Sequence, residues 1–289
     1  MPLLKVVILA IVQGLAELLP VSSSAHVVVV EKLLGLDPSS PPMTLLLVML
    51  HTGTMVAVIA YFWSQWRRTY FESAPAFRRF ALQVVIATVS TAVIAGGILK
   101  ILERTVWRDV PHAQIEDLFS HLEFIAPALA AAGVLIIIAG VFGNRGATRE
   151  LTAANDVNAQ RAGWIGAVQG LCLPFRGFSR SGATISTGML LGVAKPRAEA
   201  FSFALAVVLT PPVVAREALR LVHAAHAGGT ADITSAALGS VLGAAVAFIA
   251  GLLALRWLSR WLEAGRWYLF GIYCLFAAAA VTLLHRAGY

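Results

Sequence analysis

Six stretches of this chain, residues 43–62, 80–99, 122–142, 198–214, 236–255 and 267–284, run for 17 to 21 residues with at most one charged side chain each. A bilayer crossing needs about 20 mainly apolar residues, because hydrocarbon offers no partner to a backbone N–H or C=O that is not already paired in a helix. Composition points the same way. The chain is 58% hydrophobic and 13% charged, whereas soluble domains carry about 25% charged residues, so it lacks the polar surface to cover a water-soluble globule. Soluble, disordered and collagen-like folds are excluded. The expectation is an all-α polytopic membrane protein with six transmembrane helices, forming a single integral membrane domain over residues 1–289.

The connecting segments alternate in basic content. Arg67, Arg68, Arg78 and Arg79 fill one; Arg145, Arg149 and Arg161 another; Arg256, Arg260 and Arg266 a third. Between them lie the loop 103–123, acidic overall, and the loop 223–234, which has no Lys or Arg. The positive-inside rule places the first three in the cytoplasm and the other two outside. Basic loops facing anionic lipid account for the formal charge of +7, and no more than two basic residues are ever adjacent, so no nucleic-acid partner is expected. Cys172 and Cys274 fall in apolar stretches without disulfide or zinc spacing and are expected to be small buried hydrophobes.

Two more apolar segments, 3–36 and 164–194, do not read as single helices. The first is interrupted by Glu17, Pro20 and Ser22-Ser23-Ser24, the second by Pro174, Arg176, Gly177 and Ser179-Arg180-Ser181. Each side of each break holds about 10 to 17 residues, too few to span. The loop signs require both ends of the first segment to be outside and both ends of the second to be cytoplasmic. Two re-entrant helical hairpins dipping from opposite faces satisfy that requirement. Lys5, the apolar run 6–12 and Ser23-Ser24-Ala25 mimic a secretory signal, but Gln13 and Glu17 interrupt its apolar core.

The two halves also echo each other. Ile11-Val12-Gln13-Gly14-Leu15 recurs as Ala167-Val168-Gln169-Gly170-Leu171, each followed by a proline and a serine-rich turn. One broken hairpin and three spans per half, of opposite orientation, is the pattern of an inverted-topology repeat with halves of approximately 1–145 and 160–289, and sites in such folds form where broken helices meet. Gly53, Gly96, Gly97, Gly133 and Gly243 are expected to permit close helix approach.

The breaks carry the chemistry. Gln13 and Glu17 are four residues apart, on one helix face, and an ionisable residue within the bilayer costs about 2.5 kcal/mol or more, so it tends to face a cavity and a partner. Ser22, Ser23 and Ser24 precede a new half-helix, where serine caps the end and the free N–H groups with the helix dipole attract anions. In the second break Ser181 is expected to cap the next half-helix, Gly182 to let backbone approach a ligand, and Arg180 to offer a planar fork to phosphate oxygens. Simple capping by the serines and snorkelling of Arg180 to the interface are the plainer alternatives. His26 falls within reach of the Ser22 and Ser23 hydroxyls, as a base, an acid, a nucleophile or only a packing partner. His51, in Leu50-His51-Thr52-Gly53-Thr54, can support the same site.

With these residues in view, the chain resembles the undecaprenyl-diphosphate phosphatase, or bacitracin-resistance, family. Its first motif is matched by Gln13, Glu17, Pro20, Ser22, Ser23, Ser24 and His26, and its second from Gly177 through Ser179, Arg180 and Ser181 to Thr184. Gly188-Met189-Leu190-Leu191-Gly192, Phe201-Ser202-Phe203 and the Leu50-His51 pair match as well. The resemblance implies hydrolysis of a polyprenyl diphosphate to its monophosphate, recycling a carrier for envelope glycans. It implies a divalent cation, Mg or Ca, with Glu17 at the metal or the diphosphate and Arg180 on phosphate. Ser22, Ser23, His26, Ser179, Ser181 and Thr184 would line the site. It also implies a bacterial cytoplasmic (inner) membrane location with the site facing the periplasm. The expected partners are the lipid substrate and the membrane, with a homodimer as the candidate assembly.

Three departures accompany the match. Gln13 removes one carboxylate, Arg176 stands where a proline precedes Gly177, and the proline after Phe203 is displaced to Pro211–Pro212. Arg176 is a candidate second phosphate contact. The rival function is a polyprenyl-phosphate transporter or flippase, since broken helices in inverted repeats are transporter architecture. A lipid phosphatase of Ser-Arg-x5-His type would need histidine at position 186, which is Ser186.

Overall fold

The computed structural model describes residues 2–37, 40–105, 122–143, 155–175, 177–226 and 233–287. Most of the loop 103–123, Arg145, Arg149, Arg176 and part of the loop 223–234 lie outside the described residues. Within them the chain forms ten helices and no strand. In order these are α1 Leu3–Leu18, α2 Ser23–Leu33, α3 Pro41–Thr69, α4 Ala74–Thr105, α5 Leu122–Phe142, α6 Ala159–Cys172, α7 Arg180–Leu190, α8 Lys195–His226, α9 Ile233–Glu263 and α10 Trp267–Arg286.

Helices α3, α4, α5, α9 and α10 are long and apolar enough to cross a membrane. On α4, Leu82, Val85, Val89 and Val93 form an exposed apolar stripe at helical spacing, a face suited to lipid and not to water. The chain is a multi-pass membrane protein. The stretch 198–214 is not among the five: it begins α8, where Lys195, Arg197 and Glu199 precede a short apolar run. The helix does not stop at Pro211 and Pro212 but continues through them for 32 residues in all.

The two interrupted segments break where their residues require it. Leu19, ahead of Pro20, is extended at ψ 151°, because the proline ring crowds the helical conformation of the residue before it. Ser22 follows with a positive φ of 66°, uncommon for a residue with a side chain. In the second break Gly177 takes φ 105°, and a Cβ there would also strike the Ile125 carbonyl of α5. The pieces are short: 16 and 11 residues for α1 and α2, 14 and 11 for α6 and α7. At 1.5 Å per residue they extend for about 16 to 24 Å, less than the ~30 Å hydrocarbon layer.

Packing crosses the two halves in a matched way. Helix α1 lies on α9, and α6 lies on α4. Gly14 sits against Ala247 and Ala250, while its counterpart Gly170 sits against Thr91 and Ile94. Gly53 meets the backbone of Ala244, Gly133 meets Gly271 and Cys274, and Gly243 meets Leu46 and Leu50, as small residues in helix contacts should. Gly96 and Gly97 do not: a Cβ at either would meet open space, because that turn of α4 faces away from its neighbours. Phe62, Trp66, Phe201, Phe203, Trp267 and Phe270 fill the core around α7, and both cysteines are buried and unpaired.

Candidate active site

The two breaks meet at Glu17. Its Oε1 accepts from Arg180 Nη2 at 3.1 Å, across 163 residues of chain. Its Oε2 accepts from the Ser23 hydroxyl at 2.5 Å and from Gln13 Nε2 at 3.1 Å. Thus the end of α1, the start of α2 and the start of α7 converge on one carboxylate. The side chains are 15% exposed at Glu17 and 25% at Arg180, so the pair is shielded but reachable. His51 Nε2 lies 3.9 Å from Oε2. A second link ties the breaks directly: the Ser181 hydroxyl donates to the Leu19 carbonyl at 3.3 Å.

The pair forms one wall of a small, half-open cleft. Its other walls come from α3 and α8, with His51, Thr54, Met55 and Val58 on one side and Phe203, Ala206, Val207 and Thr210 on the other. A polar floor under apolar walls is the shape a charged headgroup on a hydrocarbon tail requires. Thr54, Met55 and Thr210 carry no signal in the sequence, since each sits inside an ordinary apolar run. His51 does, as a histidine within a span.

Local geometry revises several expected roles. Ser179, not Ser181, caps α7: its hydroxyl accepts the Gly182 N–H at 3.2 Å. Gly182 is buried, with its missing Cβ matched by Ile136 and Ser179, so its smallness serves packing there. At α2 the N-cap residue is Ser22, but its side chain makes no capping bond and instead contacts the Ser24 hydroxyl at 3.2 Å. His26 does not reach a serine hydroxyl. Its Nδ1 lies 2.8 Å from the Ser22 carbonyl, one helical turn back. Thr184 turns toward α8, with its hydroxyl 2.5 Å from that of Ser202 and 2.8 Å from the Arg180 carbonyl it donates to. Position 186 is buried, and Ser186 accepts the Trp267 indole N–H at 3.0 Å. Arg176 lies outside the described residues.

Among the described residues no three of His, Cys, Asp and Glu cluster as metal ligands. What the site does hold is hard oxygens, the Glu17 carboxylate and the Ser23 hydroxyl, with the Gln13 amide beside them. That set suits Mg²⁺ or Ca²⁺, which bind through one or two carboxylates and complete their shells with water and phosphate oxygens. It does not suit a zinc cage of nitrogen and sulfur.

These features define a polytopic all-α membrane protein whose two interrupted segments present an ion pair to a half-open cleft with apolar side chains in its walls. The chain belongs to the family described as bacitracin resistance protein BacA, which it matches over residues 6–280. It is 55% identical to undecaprenyl-diphosphatase 2 of Acinetobacter baylyi, with 98% of each chain covered. It is 34% identical to the undecaprenyl-diphosphatase of Desulfosudis oleivorans, with 96% of each covered, and 31% identical to that of Rhodopirellula baltica, with 98% of each covered.

Proposed function

We propose that this chain hydrolyses undecaprenyl diphosphate to the monophosphate and inorganic phosphate, recycling the lipid carrier of bacterial envelope synthesis and conferring resistance to bacitracin. Family membership and the diphosphatase names of its relatives support the reaction. One contact carries the assignment of the site: the 3.1 Å pair of Arg180 and Glu17, which joins the two breaks. A lone ion pair in an apolar body is costly to desolvate, and a doubly charged headgroup is the ligand for which that cost is useful.

Arg180 holds phosphate oxygens with its planar fork. The first turn of α2, whose cap makes no side-chain bond, directs backbone N–H groups and the helix dipole at the same anion. Ser22 and Ser23 supply further donors around it, while Ser179 and Ser181 hold α7 and its arginine in place. Ser23 marks the place a hydroxyl takes against Glu17. The attacking oxygen, from water or from Ser23 itself, gives its proton to this carboxylate as it bonds to the terminal phosphorus. The bond from that phosphorus to the bridging oxygen breaks, and the lipid monophosphate leaves with the bridging oxygen; where Ser23 is the attacker, a water then displaces its oxygen from the phosphorus and releases inorganic phosphate. Both ring nitrogens of His26 are engaged in hydrogen bonds, which favours an oxygen attacker over the imidazole.

The charges of Glu17 and Arg180 cancel, so a diphosphate beside them needs more positive charge than the side chains provide. A divalent cation bound by Glu17, with Gln13 and Ser23 beside it, would supply that charge and polarise the phosphoryl oxygens.

The short pieces α1, α2, α6 and α7, and the exchange of contacts between α1–α9 and α6–α4, support two re-entrant hairpins in an inverted repeat of halves 1–145 and 160–289. The basic loops support a first hairpin with both ends outside and a second with both ends in the cytoplasm, in the inner membrane of a bacterium, with the site open to the periplasm. The flippase alternative draws no support from the names of the relatives.

The test is phosphate release from undecaprenyl diphosphate by protein purified in detergent, where lipid transport has no meaning. Wild type should release phosphate, chelation should lower the rate at least about tenfold, and Glu17→Ala and Arg180→Ala should abolish it. Full activity in both variants would remove the site assignment, and an inactive wild type would remove the reaction.

A further inference from the structure

The hydrolysis scheme leaves one contact of His26 unused. A carbonyl oxygen only accepts hydrogen bonds, so the His26 Nδ1 facing the Ser22 carbonyl at 2.8 Å carries the ring proton when the imidazole is neutral. Nε2 is then an acceptor. Its partner is the hydroxyl of Tyr273, 2.7 Å away and 247 residues distant in sequence. The two rings lie within 13° of parallel, with centroids 5.7 Å apart. Tyr273 stands on α10, so the last helix of the chain reaches the first break through this bond. The Ser22 carbonyl also accepts the His26 backbone N–H at 3.4 Å. Ser22 is the one described non-glycine residue with positive φ, a conformation that costs about 1–3 kcal/mol and persists only where surrounding contacts hold it. The next residue, Ser23, is the one that donates to Glu17.

We propose that Tyr273 is a positioning residue for the hydrolysis. By donating to Nε2 it holds the His26 ring where its Nδ1–H meets the Ser22 carbonyl. That bond fixes the turn that delivers Ser23 to Glu17. The inference rests on the hydrolase reading of this site. The competing account of Tyr273 is an aromatic residue at the membrane interface, where tyrosine is common, and its 46% exposure fits that account as well. A residue placed only for lipid has no need of a defined acceptor, and here the acceptor is the other nitrogen of the ring that holds the Ser22 carbonyl.

Tyr273→Phe keeps the ring and removes the donor, and at a half-exposed position it leaves folding intact. Tyr268→Phe, five residues earlier on the same helix, is the control. Phosphate release from undecaprenyl diphosphate is measured for both and for wild type, together with the nitrogen spectrum of protein carrying ¹⁵N-histidine, His26 being assigned by its loss in His26→Gln. Tyr273→Phe should lower kcat about tenfold, the worth of one well-made hydrogen bond, with KM within about twofold. The His26 signals should move from the single Nδ1–H tautomer to a mixture. Tyr268→Phe should match wild type in both readouts. A Tyr273→Phe protein with wild-type kcat, or with lowered kcat and an unchanged His26 spectrum, would overturn the proposal, as would a rise in KM alone. If wild type itself releases no phosphate, the hydrolase reading falls and this inference falls with it; a failure confined to Tyr273→Phe touches the inference alone.

Discussion

The two breaks share a plan, a helix interrupted near a proline and restarted by serines, yet they are finished differently. The second is closed. Ser179 caps α7, Thr184 is paired with Ser202, Ser186 accepts from Trp267, and Gly182 is packed under Ile136. Its serine and threonine hydroxyls are all engaged within the protein, Ser181 with the Leu19 carbonyl, and its guanidinium reaches across to Glu17. The first is open. Its N-cap serine makes no capping bond and takes a positive φ, and its hydroxyls bond to one another and to Glu17. A satisfied turn makes a rigid mount, while a strained one keeps its donors for a ligand. The difference assigns the second break the task of holding a charge in place and the first that of doing chemistry beside it.

If that division is right, the largest effects follow from parting the ion pair. Arg180→Ala and Glu17→Ala should each lower phosphate release by about a thousandfold, because each removes a group at the reacting diphosphate, and each also strands its partner in low dielectric, destabilising the fold by about 3–5 kcal/mol. The double variant Glu17→Ala/Arg180→Ala strands nothing. It should remain inactive yet melt, in a detergent thermal-shift assay, above either single variant. A double variant no more stable than the singles would mean that the pair is not coupled in the fold.

Next come the serines. Ser23→Ala should reduce kcat by about tenfold to a hundredfold through loss of the hydroxyl at Glu17, whereas Ser181→Ala, which loses one bond to the Leu19 carbonyl, should cost only a few-fold. Equal losses would erase the distinction between an open and a closed break. Stability should separate them with opposite signs. Ser179→Ala removes a cap and should destabilise by about 1 kcal/mol. Ser22→Gly relieves a positive φ and should raise the melting temperature while lowering activity.

How much of this was legible beforehand depends on whether the signal is local. Pro20, the serine runs and Gly177 act on their own backbone, so the breaks were visible within a few residues, and the cost of burying a lone charge said that Glu17 needs a partner but not that the partner is Arg180. Tertiary choices were not visible. Either Ser179 or Ser181 can cap a helix, and which does so depends on how α7 sits under α5. His26 has two serine hydroxyls and a carbonyl within reach, and one helical turn of geometry favours the carbonyl. Pro211 and Pro212 read as a stop, yet α8 continues through them, a tertiary outcome that propensity does not anticipate. Gly96 and Gly97 look like a helix contact, but nothing in their own residues says that α4 turns that face outward. Tyr273 left no trace, because a tyrosine in an apolar helix is ordinary and its partner lies at the other end of the chain.

Thr184 gives the smallest effect and a sharp test of the closed break. Its match to the family motif suggests a substrate contact, while its position, with the hydroxyl between the Arg180 carbonyl and the Ser202 hydroxyl and 1% exposed, describes a brace between α7 and α8. A brace needs the hydroxyl but not the methyl group. Thr184→Ser should therefore keep activity within about twofold, and Thr184→Val, which leaves Ser202 short of a partner, should destabilise by about 1–3 kcal/mol with KM unchanged. A substrate contact would reverse the pattern, with Thr184→Val raising KM at normal stability. In that case the second break would open toward the ligand as the first does, and the contrast between them would vanish.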